Sequence, residues 1–148
     1  MFAGEFRCRT ETSGIFRLPP ILLAAFPSPE AGDGRQVVLL KSLDRSLWLY
    51  QAQGWQEKLT ATRGQLDDEQ SRLLMHYVVA ESALAEIDVR GRLAIPKVLR
   101  SYAQITTEVV LVGLYDRIEV WNPTRWEAYL SGLEARHEMV LAKILDLL

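Results

Sequence analysis

The hydrophobic pattern of this chain runs through the same course twice. Apolar and polar positions alternate around Phe16 and Leu18, and again around Leu93 and Ile95. A two-residue alternation predicts a strand with one buried face. Each strand leaves a glycine-containing turn, at Gly14 or Gly91, and stops at a proline, Pro19 or Pro96. A helical turn is predicted behind each stop, over Pro20–Leu23 and over Lys97–Arg100, since proline suits a first turn. Two strand pairs rich in β-branched residues follow, 36–41 with 46–50 and 107–112 with 117–121. Their connections, around Leu43-Asp44 and around Gly113–Tyr115, read as tight hairpins.

Each half should close with a helix. The second has the clearer signals: Asn122 as N-cap, Pro123 in the first helical position, and Trp126, Leu130, Leu133, His137, Val140, Leu141 and Ile144 on one face. A further helix, from about Asp67 to Val79, joins the halves, with Leu66, Leu73, Leu74 and Tyr77 at helical spacing. The segment Ala142–Leu148 has no counterpart in the first half. Its Ile144, Leu145, Leu147 and Leu148 are poorly suited to water, which predicts an intersubunit contact or a partner.

The two courses align residue by residue. Glu11-Thr12-Ser13-Gly14-Ile15-Phe16-Arg17-Leu18-Pro19 matches Asp88-Val89-Arg90-Gly91-Arg92-Leu93-Ala94-Ile95-Pro96 at an offset of 77 (91 − 14). Val37-Val38-Leu39-Leu40 matches Val109-Val110-Leu111-Val112, and Asp44-Arg45 matches Asp116-Arg117, both at 72 (109 − 37). Trp55 matches Trp126 at 71 (126 − 55). The shorter offset downstream places extra first-half residues in Pro27–Gly34, a loop by composition. An internal repeat of this kind predicts two like modules, over 1–60 and 81–148 with 61–80 as the connecting helix. Modules this small bury too little to stand alone, so they should pack on each other or on neighbouring subunits. The fold class is α+β.

Composition narrows the chemistry. The 148 residues are 49% hydrophobic and 24% charged, with a net charge of −2. Residues 1–80 hold 9 Lys/Arg and 9 Asp/Glu, and residues 81–148 hold 8 and 10, so neither half coats nucleic acid by bulk charge. A few well-placed basic loops, multiplied by an oligomer, remain compatible with DNA binding. The single cysteine, Cys8, forms no internal disulfide and fits a reducing compartment. It is read as a packing residue. No leader peptide is expected at the start, and the run Leu18–Pro27 is too short to span a bilayer. His76 and His137 lack metal-site spacing. Ser13-Gly14 and Ser131-Gly132 lack a nucleophile-elbow pattern, and Gly32-Asp33-Gly34 lacks the rest of a phosphate loop. No enzyme activity and no cofactor are therefore expected. Trp48, Trp55, Trp121 and Trp126 fall two to a half, which points to shared core packing rather than an aromatic ligand box.

Met1-Phe2-x-Gly4-Glu5, the repeated acid-x-x-Gly turn, Asp88-x-Arg-Gly-Arg92-Leu-x-Ile-Pro96, Val109–Gly113 and the Val120-Trp121 to Trp126-Glu127 stretch together resemble the MraZ family over nearly the whole chain. The resemblance implies duplicated AbrB-type (SpoVT-AbrB) modules, swapped-hairpin or double-ψ-like barrel halves with flanking helices, assembled into a ring that is typically octameric. It implies a repressor of the division and cell-wall gene cluster, in the cytoplasm and on the nucleoid, bound to short direct DNA repeats upstream of its own operon. The family's Asp-x-x-x-Arg signature lies on a hairpin loop that reaches DNA. It is intact here as Asp88, Arg90, Gly91 and Arg92, with Arg90 and Arg92 as planar donors and Gly91 and Asp88 shaping the turn. The first copy departs from it: Glu11 replaces Asp, Ser13 precedes Gly14, and Ile15 stands where Arg belongs. Arg7, Arg9 or Arg17 are candidates to compensate. Lys97 and Arg100 are read first as a solvated helix face and second as phosphate contacts. The alternative function is a ring-forming interaction protein that has lost DNA binding.

Overall fold

The computed structural model describes residues 1–29 and 32–148. Of the loop expected at Pro27–Gly34, Glu30 and Ala31 lie outside the described residues. In chain order the elements are β1 (Phe2–Arg9), a 3₁₀ turn (Thr12–Gly14), β2 (Ile15–Arg17), α1 (Pro20–Leu23), β3 (Arg35–Lys41), β4 (Leu47–Gln51) and α2 (Ala52–Arg63). Then come α3 (Asp68–Leu73), a π-helical turn (Leu74–Val79), β5 (Ala83–Ile87), β6 (Arg92–Ala94), α4 (Lys97–Ala103), β7 (Glu108–Tyr115), β8 (Arg117–Trp121) and α5 (Pro123–Asp146).

Six strands form one antiparallel sheet in the order β1-β7-β8-β4-β3-β5, and β2 pairs with β6 as a separate ribbon. The barrel-like closure expected of the halves is not found: the sheet is open, with β1 and β5 at its edges. At the edges, β1 carries Glu5, Arg7 and Arg9 and β5 is only five residues long, features that limit pairing with another chain. The consecutive apolar runs are explained by coverage of both faces. Val37, Leu39, Val109 and Leu111 point into the main core, under the ribbon, α1 and α4. Val38 and Leu40 point outward, under Trp55 and Val78, while Val110 and Val112 lie under Trp126 and Leu130 of α5.

The strands of the two courses interleave. β3 pairs with β5, and β7 with β1. Cys8 faces Val109 and Ala85 faces Val37, so each pair maps onto the other by the sequence offsets. Phe16 faces Leu93, its own repeat equivalent, which puts the centre of the ribbon on a pseudo-twofold axis. Trp48 and Glu119 face each other in the same way between β4 and β8.

Three expectations change. β7 runs through Gly113 to Tyr115, and the turn is the tighter Tyr115-Asp116. The register sets Arg117 against Ser46, because Leu114 pairs with Arg117 as Ser42 bonds to Ser46, so the Arg45/Arg117 echo is not a structural equivalence. The tryptophans do not share one core: Trp121 and Trp126 pack in one outer cluster, Trp48 and Trp55 in another.

Helix starts follow the local signals. The Asn122 side chain accepts from the Arg125 N–H at 3.1 Å, with Pro123 in the first turn. Asp67 and Gln70 form a reciprocal capping box at 2.8 and 3.1 Å. No helix of the described residues is long and apolar enough to cross a membrane.

Candidate nucleic-acid interface

The ribbon has one face in the core and one in solvent. Phe16 and Leu93 are 1% and 0% exposed. Alternation turns Ile15, Arg17, Arg92 and Ala94 the other way, and these are partly or fully exposed. In the register Arg17 stands directly opposite Arg92, and Ile15 opposite Ala94. Two guanidinium-bearing residues thus face each other across adjacent strands, an arrangement that costs stability unless an anion meets it.

The loop that feeds Arg92 is closed by Asp88. One carboxylate oxygen accepts from the backbone N–H groups of Arg90 and Arg92, each at 2.9 Å. The other accepts from the Arg92 Nε at 2.9 Å. The Arg92 backbone N–H, above all, holds the Asp88 carboxyl below the usual carboxylate range; partial desolvation works the other way, and the Arg92 side chain and the Arg90 N–H add to the lowering. Because Asp88 engages only Nε, the terminal Nη1 and Nη2 of Arg92 meet no acceptor among the described residues. They form an outward fork suited to a phosphate or to the O6/N7 edge of guanine. Arg90, Arg17 and Lys97 are exposed and likewise make no side-chain hydrogen bond or ion pair among the described residues.

Gly91 is required twice over. Its φ is +80°, and a Cβ there would lie 2.6 Å from Cδ1 of Leu23 on α1. The first loop repeats the backbone frame: Gly14 N–H donates to Glu11 O as Gly91 N–H donates to Asp88 O, and Leu18 N–H to Gly91 O mirrors Ile95 N–H to Gly14 O. It lacks the side-chain closure, for Glu11 makes no capping bond, and Ser13 is left-handed at φ 64° beside Gly14 at φ 71°.

Arg100 departs from the solvated helix face read from the sequence. Its Nε donates to Ile95 O at 2.9 Å, and its Cδ occupies the space a Cβ on Gly14 would need. Leu23 holds the equivalent place under Gly91. A guanidinium from the second course therefore sits beside the loop whose own arginine position is Ile15. Arg7 is engaged by Glu108 and Glu127, and Arg9, two residues on in β1, alternates onto the same face. Cys8 packs half-buried against the main core, and burial pushes its thiol pKa up. No cluster of metal-ligating side chains occurs among the described residues.

The Arg17–Arg92 juxtaposition was not legible locally. Its only signal was that a strand repeated about a twofold can pair with its own copy.

The "Transcriptional regulator MraZ" of Halothermothrix orenii is 33% identical over 150 residues, covering 99% of each chain. The chain belongs to the MraZ family. The relatives of the same name from Thermomicrobium roseum and Moorella thermoacetica are 30% and 31% identical, over 100% and 99% of this chain and 100% and 98% of theirs. The MraZ family model, described as "MraZ protein, putative antitoxin-like", matches residues 79–145, the part that carries the intact Asp88–Arg92 loop.

Proposed function

We propose that this MraZ-family chain is a transcriptional regulator that binds double-stranded DNA with the exposed face of the β2–β6 ribbon and the Asp88–Arg92 loop. The single observation that carries the reading is the pair Arg17 and Arg92, opposed on that face with no acceptor among the described residues for either terminal guanidinium. A two-stranded ribbon fits the width of the major groove. In this reading Arg92, Arg17 and Arg90 meet bases or phosphates, Lys97 and Arg100 flank them, and Asp88 and Gly91 hold the loop in shape. Arg17 takes over what Ile15 has lost.

One such site is small, so several copies must act together. A closed ring, octameric in the family pattern, would set successive ribbons against direct repeats. Its targets would be short repeats upstream of its own operon, the division and cell-wall cluster, with repression as the outcome in a cytoplasmic, nucleoid-bound protein. The halves are read as duplicated AbrB-like modules.

The test is Arg92→Ala in a gel-shift titration at fixed salt: operator binding is lost and the oligomer persists. Unchanged binding refutes the reading. Ile15 and the net charge of −2 favour a second reading, an assembly protein without DNA binding. Anisotropy with DNA from upstream of its own gene separates the two, since only the regulator gives a signal that falls steeply with salt.

A further inference from the structure

The β2–β6 ribbon has a symmetric backbone and an asymmetric face. Its main-chain bonds repeat about the pseudo-twofold, with Leu18 N–H donating to Gly91 O at 2.9 Å and Ile95 N–H to Gly14 O at 3.4 Å. Phe16 and Leu93 pair at its centre and fill the core side. The twofold therefore exchanges Ile15 with Arg92 and Arg17 with Ala94. The cross-strand register then sorts these four side chains by kind. Arg17 stands opposite Arg92 at one end of the exposed face, and Ile15 stands opposite Ala94 at the other. A fully symmetric ribbon would carry one guanidinium at each end. This one carries both at the same end.

Ile15 is not a core residue. It is only partly buried, and it joins none of the three apolar clusters among the described residues. Strand alternation directs it away from Phe16, to the side of Arg17. Ala94, across from it, is exposed. The chain's own packing thus does not account for a large apolar side chain at this position. The ribbon face has a cationic, hydrogen-bonding end and an apolar end that offers no side-chain hydrogen bond.

The major groove of DNA presents the matching chemistry. Guanine shows two acceptors, O6 and N7, which suit an arginine fork, and thymine shows a C5 methyl, which suits an apolar side chain. We propose that Ile15, backed by Ala94, reads a thymine methyl while Arg17 and Arg92 read guanine, which makes Ile15 a specificity-determining residue. The inference rests on the DNA-binding reading and deepens it. Two strand residues, about 7 Å, separate the two ends, so the guanine and the thymine fall about one or two base pairs apart. Turning the ribbon end for end sets the arginines over the methyl and leaves guanine facing isoleucine. Each ribbon therefore binds its site in one orientation only.

The experiment is fluorescence anisotropy at fixed salt with the duplex from upstream of the protein's own gene. The duplex is made in two forms, one with thymidine and one with deoxyuridine throughout. Uracil lacks the C5 methyl and keeps every hydrogen-bonding group of thymine. Wild type should bind the thymine form about fourfold more tightly, the worth of one methyl removed from water. Ile15→Ala should lose that preference while binding the uracil form as wild type does, and Ile15→Val should keep it. Circular dichroism melts check that the variants fold; should Ile15→Ala fail to, Ile15→Ser takes its place. Equal binding of the two forms by wild type overturns the proposal and leaves DNA binding standing. A preference that survives in Ile15→Ala also overturns it, since another residue then reads the methyl. A wild type that binds neither form refutes the functional reading itself, and this inference with it.

Discussion

Replacing Arg17 with glutamine should make the protein more stable and a poorer DNA binder at once. The substitution keeps most of the side chain's length and removes its charge at an exposed position directly opposite Arg92. Like charges facing each other across antiparallel strands cost about 0.2–1 kcal/mol. Asp88 already balances part of the Arg92 charge through the Nε contact at 2.9 Å. The relief therefore falls near the middle of that range, about 0.5 kcal/mol. In a domain of this size that raises Tm by about 1–2 °C. Repulsion between exposed groups is screened once the Debye length shrinks to about 3 Å, near 1 M salt, so the gain should vanish there. On DNA, one lost phosphate contact per site reduces the slope of log K against log salt by about 0.9, and one lost base contact costs about 1–3 kcal/mol. Thermal melts at low and high salt, and anisotropy titrations over a salt series, measure both halves. A Tm that falls at low salt refutes the electrostatic argument. An unchanged affinity and salt slope refute the placement of Arg17 at DNA.

Three further outcomes follow from the same geometry. Gly91→Ala forces a Cβ to within 2.6 Å of Leu23 at φ +80°; the strained backbone and the overpacking together should cost about 2–4 kcal/mol in urea unfolding. Phe16→Ala empties the ribbon's buried face at a residue 1% exposed and should cost about 3–5 kcal/mol by the same measurement. Asp88 has its carboxyl held below the ordinary value in the fold, so its contribution is present above its unfolded-state pKa and is lost as pH falls through the lower folded-state pKa. Urea midpoints of wild type and Asp88→Asn, followed from neutral pH downward, should therefore converge across that window; a gap that widens with acid contradicts the assignment.

The chain by itself determined everything that nearest neighbours decide. Asn122 and Asp67 cap helices because their side chains reach N–H groups three residues on, and Gly91 turns because its positive φ strains most side-chain-bearing residues. The alternation around Phe16 and Leu93 named a buried face, and the repeat with its offsets predicted two like modules. Tertiary structure alone decided which strands of the two courses meet. That pairing brought Arg17 across from Arg92, set Arg100 beneath Gly14 and separated the tryptophans into two outer clusters. The reason is one of range. Caps and turns are fixed by bonds within a few residues, whereas strand partners far apart along the chain, such as Arg35 with Ile87 or Phe16 with Leu93, are selected by which register buries the most apolar surface on both faces of the sheet.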